Sequence, residues 1–299
     1  MRFAARRLGL FSDYWWLFLG VLGAWAALYM NITFIGGGNM AGAMIGGLIK
    51  QGWPAGAIRV VEIAAEARER IESNFGVRTC ATPDAEAVAA DCVVLAVKPQ
   101  QMREVARALG PALGTQLVVS IAAGIRLGDL SRWLGGYPRI VRVMPNTPAL
   151  ALAGISGLYA PRAVNAADRA AAERILGAVG ATLWLEREED LDAVTAVSGS
   201  GPAYVFYFIE ALEQAARELG LSKEAARTLA LETFAGSVKL AAAAGEPPAT
   251  LRGRVTSRGG TTERAVQSLE ADRVREAIVR AVRAAAERSR ELGDELGKD

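Results

Sequence analysis

A chain of 299 residues can hold one large domain or two ordinary ones. Its 34 basic and 32 acidic residues nearly cancel, which leaves no electrostatic footprint for nucleic acid. The chain has no histidine, which excludes Ser-His-Asp triads, histidine-ligated zinc and any mechanism with a histidine proton donor. The two cysteines, Cys80 and Cys92, form no metal-ligand spacing and no disulfide framework; they suit a reducing, cytoplasmic setting as small core residues.

Residues 1–29 differ in character from the rest of the chain. The stretch 14–30 is uncharged and carries Trp15, Trp16, Phe18 and Trp25 behind Arg6 and Arg7, a pattern similar to a signal anchor or a short membrane span. Yet it runs without a linker into Asn31-Ile32-Thr33-Phe34-Ile35-Gly36, which reads as a buried strand. A membrane helix joined directly to a core strand is awkward geometry. The expectation is therefore that Met30 is the natural start, that residues 1–29 are translated upstream sequence outside the fold, and that the protein has no membrane partner unless 14–30 is a real anchor.

From residue 31 the pattern alternates. Ile32-Thr33-Phe34-Ile35 predicts a strand, 36–42 a glycine-rich turn, and the residues to about Lys50 an apolar helix. A strand follows at Ile58-Arg59-Val60-Val61, a helix over 64–74, and a fully buried strand over 92–97. Further strands are predicted at 117–120 and 140–143. Strand–helix alternation predicts a doubly wound parallel sheet.

Gly36-x-Gly38-x-x-Ala41 sits between the first strand and first helix, where a pyrophosphate meets a helix N-terminus. Glu62 ends the next strand and is placed to accept hydrogen bonds from adenosine ribose hydroxyls, which favours NAD; an ordinary solvated strand end fits it as well. Arg68 and Arg70 follow and fit either a 2′-phosphate or a helix face. Val97-Lys98-Pro99-Gln100 closes the buried strand on the ligand-binding edge, with Lys98 in reach of an anion or a ribose, although a lone lysine there also serves as a solvated end. Ser120-Ile121-Ala122-Ala123-Gly124 and Met144-Pro145-Asn146-Thr147-Pro148 end later strands on the same edge. Their small residues, turns and side-chain amide suit either cleft walls or structural turns.

After Trp184-Leu185 and the acidic 186–190 the pattern becomes wholly helical. Ser198-Gly199-Ser200-Gly201-Pro202-Ala203 opens a helix through Tyr204, Phe206, Tyr207, Phe208, Ile209 and Leu212. It is apolar on several faces, which predicts burial within the protein or against another subunit. A helix over 223–244 ends at Gly245 and Pro247-Pro248. The last helix starts at Thr262, breaks near 269–272, and after Arg273 reads as a charged, solvated face. Ahead of it, Ser257-Arg258-Gly259-Gly260-Thr261-Thr262-Glu263 frees the backbone to approach a ligand and aims N–H groups at a helix start, a fit for a small carboxylate or phosphate. A plain helix start after a glycine turn fits the same residues.

Five segments, Ile35-Gly36-Gly37-Gly38-Asn39-Met40, Ala96-Val97-Lys98-Pro99, Met144-Pro145-Asn146-Thr147-Pro148, Ser198 to Tyr204 and 255–270, stand in an order and spacing that resembles pyrroline-5-carboxylate reductase over residues 30 to 290. The resemblance implies NADPH- or NADH-dependent reduction of the C=N bond of 1-pyrroline-5-carboxylate to L-proline, the last step of proline biosynthesis. It implies a Rossmann-like doubly wound sheet over 30–188, then an all-helical substrate-binding and dimerisation domain over 189–299 that forms a homodimer or larger homo-oligomer. Carried over by position, Ile35, Gly36, Gly37, Gly38, Asn39, Met40, Ala96, Val97, Lys98 and Pro99 hold the cofactor, with Ala122 near the nicotinamide. Backbone groups of Gly260, Thr261 and Thr262, with Ser257 nearby, receive the substrate carboxylate, and the Thr262 hydroxyl, the catalytic group, meets the ring nitrogen. A cyclic imine accepts hydride without a strong protein acid, which suits a chain lacking histidine.

Two residues depart from the family pattern. Arg258 replaces the usual proline, and Glu62 is not the small polar residue of a strongly NADPH-preferring member. Two rival readings have their own signatures. A β-hydroxyacid dehydrogenase needs a lysine on the helix after the glycine-rich turn, and the first lysine after residue 201 is Lys223. A non-catalytic nucleotide sensor has no need of Gly259-Gly260-Thr261-Thr262.

Overall fold

The computed structural model describes residues 29–83 and 85–298. The expectations for residues 1–28 lie outside that range. Of the N-terminal stretch, Tyr29 and Met30 are described: Tyr29 meets Trp53 edge to face at 5.2 Å, and the Trp53 indole donates to the Met30 carbonyl.

The first half is built on β1 (Ile32–Ile35), β2 (Ile58–Val61), β3 (Arg78–Cys80), β4 (Cys92–Leu95), β5 (Leu117–Ser120), β6 (Ile140–Met144), β7 (Gly154–Tyr159) and β8 (Gly180–Trp184). Among the described residues these form one sheet in the order β3-β2-β1-β4-β5-β6-β7-β8. The first six strands are parallel, with the strand order reversing between β1 and β4. Runs such as Cys-Val-Val-Leu in β4 are buried on both faces, as a helix-covered parallel strand requires.

Two apolar layers sandwich the sheet. On one face α1 (Asn39–Lys50), α2 (Ala65–Phe75) and α6 (Ala166–Gly177) contribute Met44, Ile45, Leu48, Ile71, Ile175 and Leu176. On the other, α4 (Pro99–Leu109) and α5 (Leu127–Trp133) contribute Met102, Ala106, Leu109, Leu130 and Trp133; the short α3 (Ala85–Val88) lies beside them. Cys92 is buried in the first layer, and desolvation pushes its thiol pKa far above the ordinary range.

The sheet is not parallel throughout. β7 runs antiparallel to β6, and β8 is parallel to β7. The β6–β7 link is short, residues 145–153 around a five-residue 3-10 helix (Thr147–Ala151), too short for a crossover. The sequence hides these strands because β7 reads Gly-Ile-Ser-Gly-Leu-Tyr, poor in β-formers. Its glycines have a packing reason: a Cβ on Gly154 would lie 2.9 Å from the Ala149 nitrogen, and one on Gly157 2.9 Å from Val194. β4 also stops at Leu95, two residues before the predicted end, so that Ala96 and Val97 turn into the loop leading to α4.

The second half is helical: α7 (Asp190–Val194), a π-turn (Thr195–Gly199), α8 (Gly201–Glu218), α9 (Lys223–Ala244), α10 (Pro248–Arg254), α11 (Thr261–Ala271) and α12 (Val274–Leu296). The expected break near 269–272 is present, with Arg273 in the left-handed region at φ 52°. The charged end of α12 is not simply solvated. Leu296 packs on the α4–α5 layer, Arg126 pairs with Asp294 at 2.6 Å and donates to the Arg290 carbonyl, and Arg132 donates to the Gly297 carbonyl. Cations thus meet the negative end of the helix. A second tie lies at the chain's entry into the helical half: Glu188 accepts from Arg142 of β6 at 2.8 Å and from the Leu127 N–H that starts α5 at 2.7 Å.

By contrast α8 and α9 leave large apolar side chains uncovered, including Phe206 (58%), Tyr207 (71%), Val238 (64%) and Leu240 (59%). Large apolar side chains exposed on two neighbouring helices are the kind of surface that marks an interaction face.

Removing the Glu188 carboxylate strands the nearly buried Arg142 and a helix-start N–H together. Glu188→Ala is expected to lower unfolding stability by about 3 kcal/mol in urea denaturation. A loss below about 1 kcal/mol would show that the tie is solvent-screened.

Candidate active site

The strand-order reversal sets the location, because β1 and β4 lead their helices to opposite faces and open a crevice at their C-terminal ends. Ile35, Leu95, Ser120 and Arg142 are in register across four strands, so the loops after them share that edge. Gly36 makes the tightest pass. It holds φ 101°, its N–H donates to the Val61 carbonyl, and a Cβ there would lie 2.8 Å from the Ala96 carbonyl oxygen. A residue with a side chain is therefore excluded on conformation and on space.

Gly37 is buried, and its N–H donates to Glu62 Oε2 at 2.8 Å, while the Ala64 N–H donates to Glu62 Oε1. The Glu62 carboxylate thus stands at the crevice rim with both oxygens held by backbone. Arg68 donates to the carbonyls of Glu62 and Ile63, so its guanidinium clamps the turn. Arg70 lines a cavity shared with Gly37, Gly38 and Asn39, so its charge stands beside the glycine turn.

Gly38 caps α1 without a side chain, no acidic residue occupies the first turn, and the space where its Cβ would project is open. The first N–H groups of α1 therefore face outward with room for an anion, and Asn39 and Met40 flank them. These residues fit a dinucleotide diphosphate. On the second side, Ala96 is bonded back to Ile35, Lys98 is exposed at the start of α4, Pro99 takes the first helical position, and Ala122 is buried after β5.

Asn146, two residues past β6, carries more than its sequence context indicates. Its Oδ1 accepts from the Ile155 N–H at 2.9 Å, and its Nδ2 donates to Ser198 Oγ at 3.2 Å and to the Ser198 carbonyl at 3.4 Å. The segments Met144 to Pro148 and Ser198 to Tyr204, distant in sequence, are thus joined at the crevice edge. Glu188 and Arg142, which brace the same region, carry no motif signal and were not legible in the sequence.

The glycine–threonine loop lies in the helical half. Gly259 takes φ 74° and its N–H donates to Glu263 Oε2 at 2.7 Å; the Gly260 N–H donates to the Ser257 carbonyl. The first helical bond of α11 runs from the Arg264 N–H to the Gly260 carbonyl, and no side chain caps the end. The N–H groups of Thr261, Thr262 and Glu263 are therefore the open donors. Thr262 is half-buried; Ser257, Arg258 and Thr261 are exposed. Among the described residues, the hydrogen bonds of this loop stay within 252–264, so one chain does not join it to the crevice.

A doubly wound sheet with an uncapped glycine turn at its switch point, followed by a helical half, defines a Rossmann-type nucleotide-binding protein. Residues 31–124 match the family described as NADP oxidoreductase coenzyme F420-dependent, and residues 188–292 match pyrroline-5-carboxylate reductase dimerisation. The chain is 50% identical over 270 residues to a pyrroline-5-carboxylate reductase of Pseudomonas aeruginosa, covering 90% of this chain and 98% of that protein. Among solved structures it is similar to a pyrroline-5-carboxylate reductase from Coxiella burnetii (TM-score 0.84, 42% identity, covering 88% of this chain and 98% of that one). It is also similar to a Plasmodium falciparum pyrroline carboxylate reductase with NADP bound (TM-score 0.79, 31% identity, the same coverage). The chain belongs to the pyrroline-5-carboxylate reductase family.

Gly38→Asp separates the anion site from the fold, because the Cβ has room and aspartate is a good helix cap. Thermal stability is expected to hold or rise, while affinity for NADPH or NADH, read by fluorescence quenching, falls about a hundredfold, about 2.7 kcal/mol. Unchanged affinity would place the diphosphate elsewhere.

Proposed function

We propose that the protein reduces 1-pyrroline-5-carboxylate to L-proline by hydride transfer from NADPH or NADH, the last step of proline biosynthesis, in the cytoplasm. The single observation that carries this reading is 50% identity to a named reductase across 98% of its length. The crevice geometry supports it: a side-chain-free pass at Gly36 and an open helix start at Gly38 meet what a dinucleotide needs. The division of labour is one of halves, with 30–188 holding the cofactor and 189–299 holding the substrate and the subunit contact.

The cofactor supplies the hydride when bound; the protein's own residues supply orientation and charge placement. The open N–H groups of Thr261, Thr262 and Glu263 take the substrate carboxylate, aided by the positive end of α11. Ser257 stands beside it, and the Thr262 hydroxyl orients the ring nitrogen. Gly260 contributes its lack of a side chain, since its N–H is already given to Ser257. Ile35, Gly36, Gly37, Gly38, Asn39 and Met40 border the diphosphate. Ala96, Val97, Lys98, Pro99 and Ala122 form the second wall. Glu62 faces the adenosine ribose, where a carboxylate favours hydroxyls and opposes a 2′-phosphate.

The working unit is a homodimer or a larger homo-oligomer. Two observations support it: the exposed apolar side chains of α8 and α9, and a glycine–threonine loop that, among the described residues, no hydrogen bond ties to the crevice. Among the described residues no helix is long and apolar enough to cross a membrane, and no nucleic-acid partner is proposed.

Oxidation of NADPH or NADH on addition of pyrroline-5-carboxylate, followed by near-ultraviolet absorbance, tests the reaction. No oxidation of either would overturn it. Thr262→Ala is expected to lower kcat/KM about tenfold or more, the scale of one hydrogen bond of about 1.4 kcal/mol. An unchanged kcat/KM removes Thr262 from the mechanism.

A further inference from the structure

Asn146 and Ser198 form a polar pair that the reductase reading does not use. Asn146 is 9% exposed and sits on the β4–β5–β6 side of the crevice, opposite the glycine turn. A dinucleotide that places its diphosphate at Gly38 extends its nicotinamide end toward that side.

The hydrogen bonds determine which way each group points. A backbone N–H can only donate, so the Asn146 atom 2.9 Å from the Ile155 nitrogen must be the amide oxygen. The amide nitrogen therefore faces Ser198 and must donate, and Ser198 Oγ accepts at 3.2 Å. With a lone pair engaged, the Ser198 O–H proton is left to donate onward. In a helix a serine would commonly return that proton to a carbonyl one turn back. Here the backbone forms a π-turn, and Thr195 O, three residues back, already accepts from the Ser200 N–H at 2.8 Å; Tyr204, on the next helix, donates to Ala196 O at 3.1 Å. The turn is also pressed against β6's end, since a Cβ on Gly199 would lie 2.4 Å from Met144 Cε. Single π-turns inside helices frequently mark functional sites.

We infer that Ser198 is a hydrogen-bond donor to the carboxamide oxygen of the bound nicotinamide, and that Asn146 is the positioning residue that fixes its polarity. This inference rests on the dinucleotide reading of the crevice. It assigns Ser198 to the nicotinamide end, leaving the substrate to the threonine loop. Donation to the carboxamide restricts rotation of the ring and so selects the face presented to the imine.

The test compares dissociation constants for the reduced dinucleotide and for ADP-ribose, which lacks nicotinamide, by tryptophan fluorescence quenching. Ser198→Ala is expected to weaken dinucleotide binding about tenfold and to leave ADP-ribose within about twofold. Asn146→Asp keeps an acceptor for Ile155 but turns the donor into an acceptor, so the Ser198 proton is drawn away. It should reproduce the same selective loss, and the double variant should lose no more than either single one. In steady-state kinetics the loss should fall on the dinucleotide and leave the KM for the imine unchanged. An equal loss of both ligands, no loss of either, or additive losses would overturn the inference. Wild-type protein that binds the dinucleotide yet turns over no imine would refute the reductase reading and leave this one standing.

Discussion

The structure depends on one close backbone approach, the passage of Gly36 beneath the Ala96 carbonyl at the reversal of strand order. No side chain fits at that point, and the backbone angle there is open chiefly to glycine. Because the chain can pass so closely, β1 delivers α1 with its first N–H groups facing the crevice, and β4 turns away to begin α4 on the opposite face. The open helix start at Gly38 and the two-layered core are consequences of the same geometry.

The helical half is attached to that frame at defined points. Glu188 ties its entry to β6 and α5, Asn146 holds the π-turn, and Arg126 and Arg132 receive the far end of α12. These are polar, directional contacts of the kind that set orientation. The large exposed apolar side chains of the half lie elsewhere, on α8 and α9. Within one chain the polar ties join the helical half to β6, to α5 and, through the π-turn, to Asn146.

Much of this was legible in the sequence. The apolar runs of β1, β2, β4, β5 and β6, the Gly245 stop of α9 and the break before α12 were all readable, because each rests on a local signal such as a buried run, a glycine cap or a change of period. β3, β7 and β8 were not, because β3 is short and polar and two of the six residues of β7 are glycines whose packing reasons lie in other segments. The same divide runs through the site. Glycines at 36 and 38 announce themselves by position, whereas the partners of Glu62, Asn146 and Glu188 are set by tertiary contacts across 25 to 61 residues of sequence. Arg68 has a role its charge alone does not announce: its Nη1 donates to the carbonyls of Glu62 and Ile63 and so braces the turn after β2.

The reaction itself is tested most directly by following the transferred hydrogen. Incubation of the purified protein with pyrroline-5-carboxylate and a reduced dinucleotide deuterated at its transferable position should yield proline carrying a single deuterium at the former imine carbon, detected by mass spectrometry. Proline without label, or no proline with the dinucleotide still bound, would contradict the account.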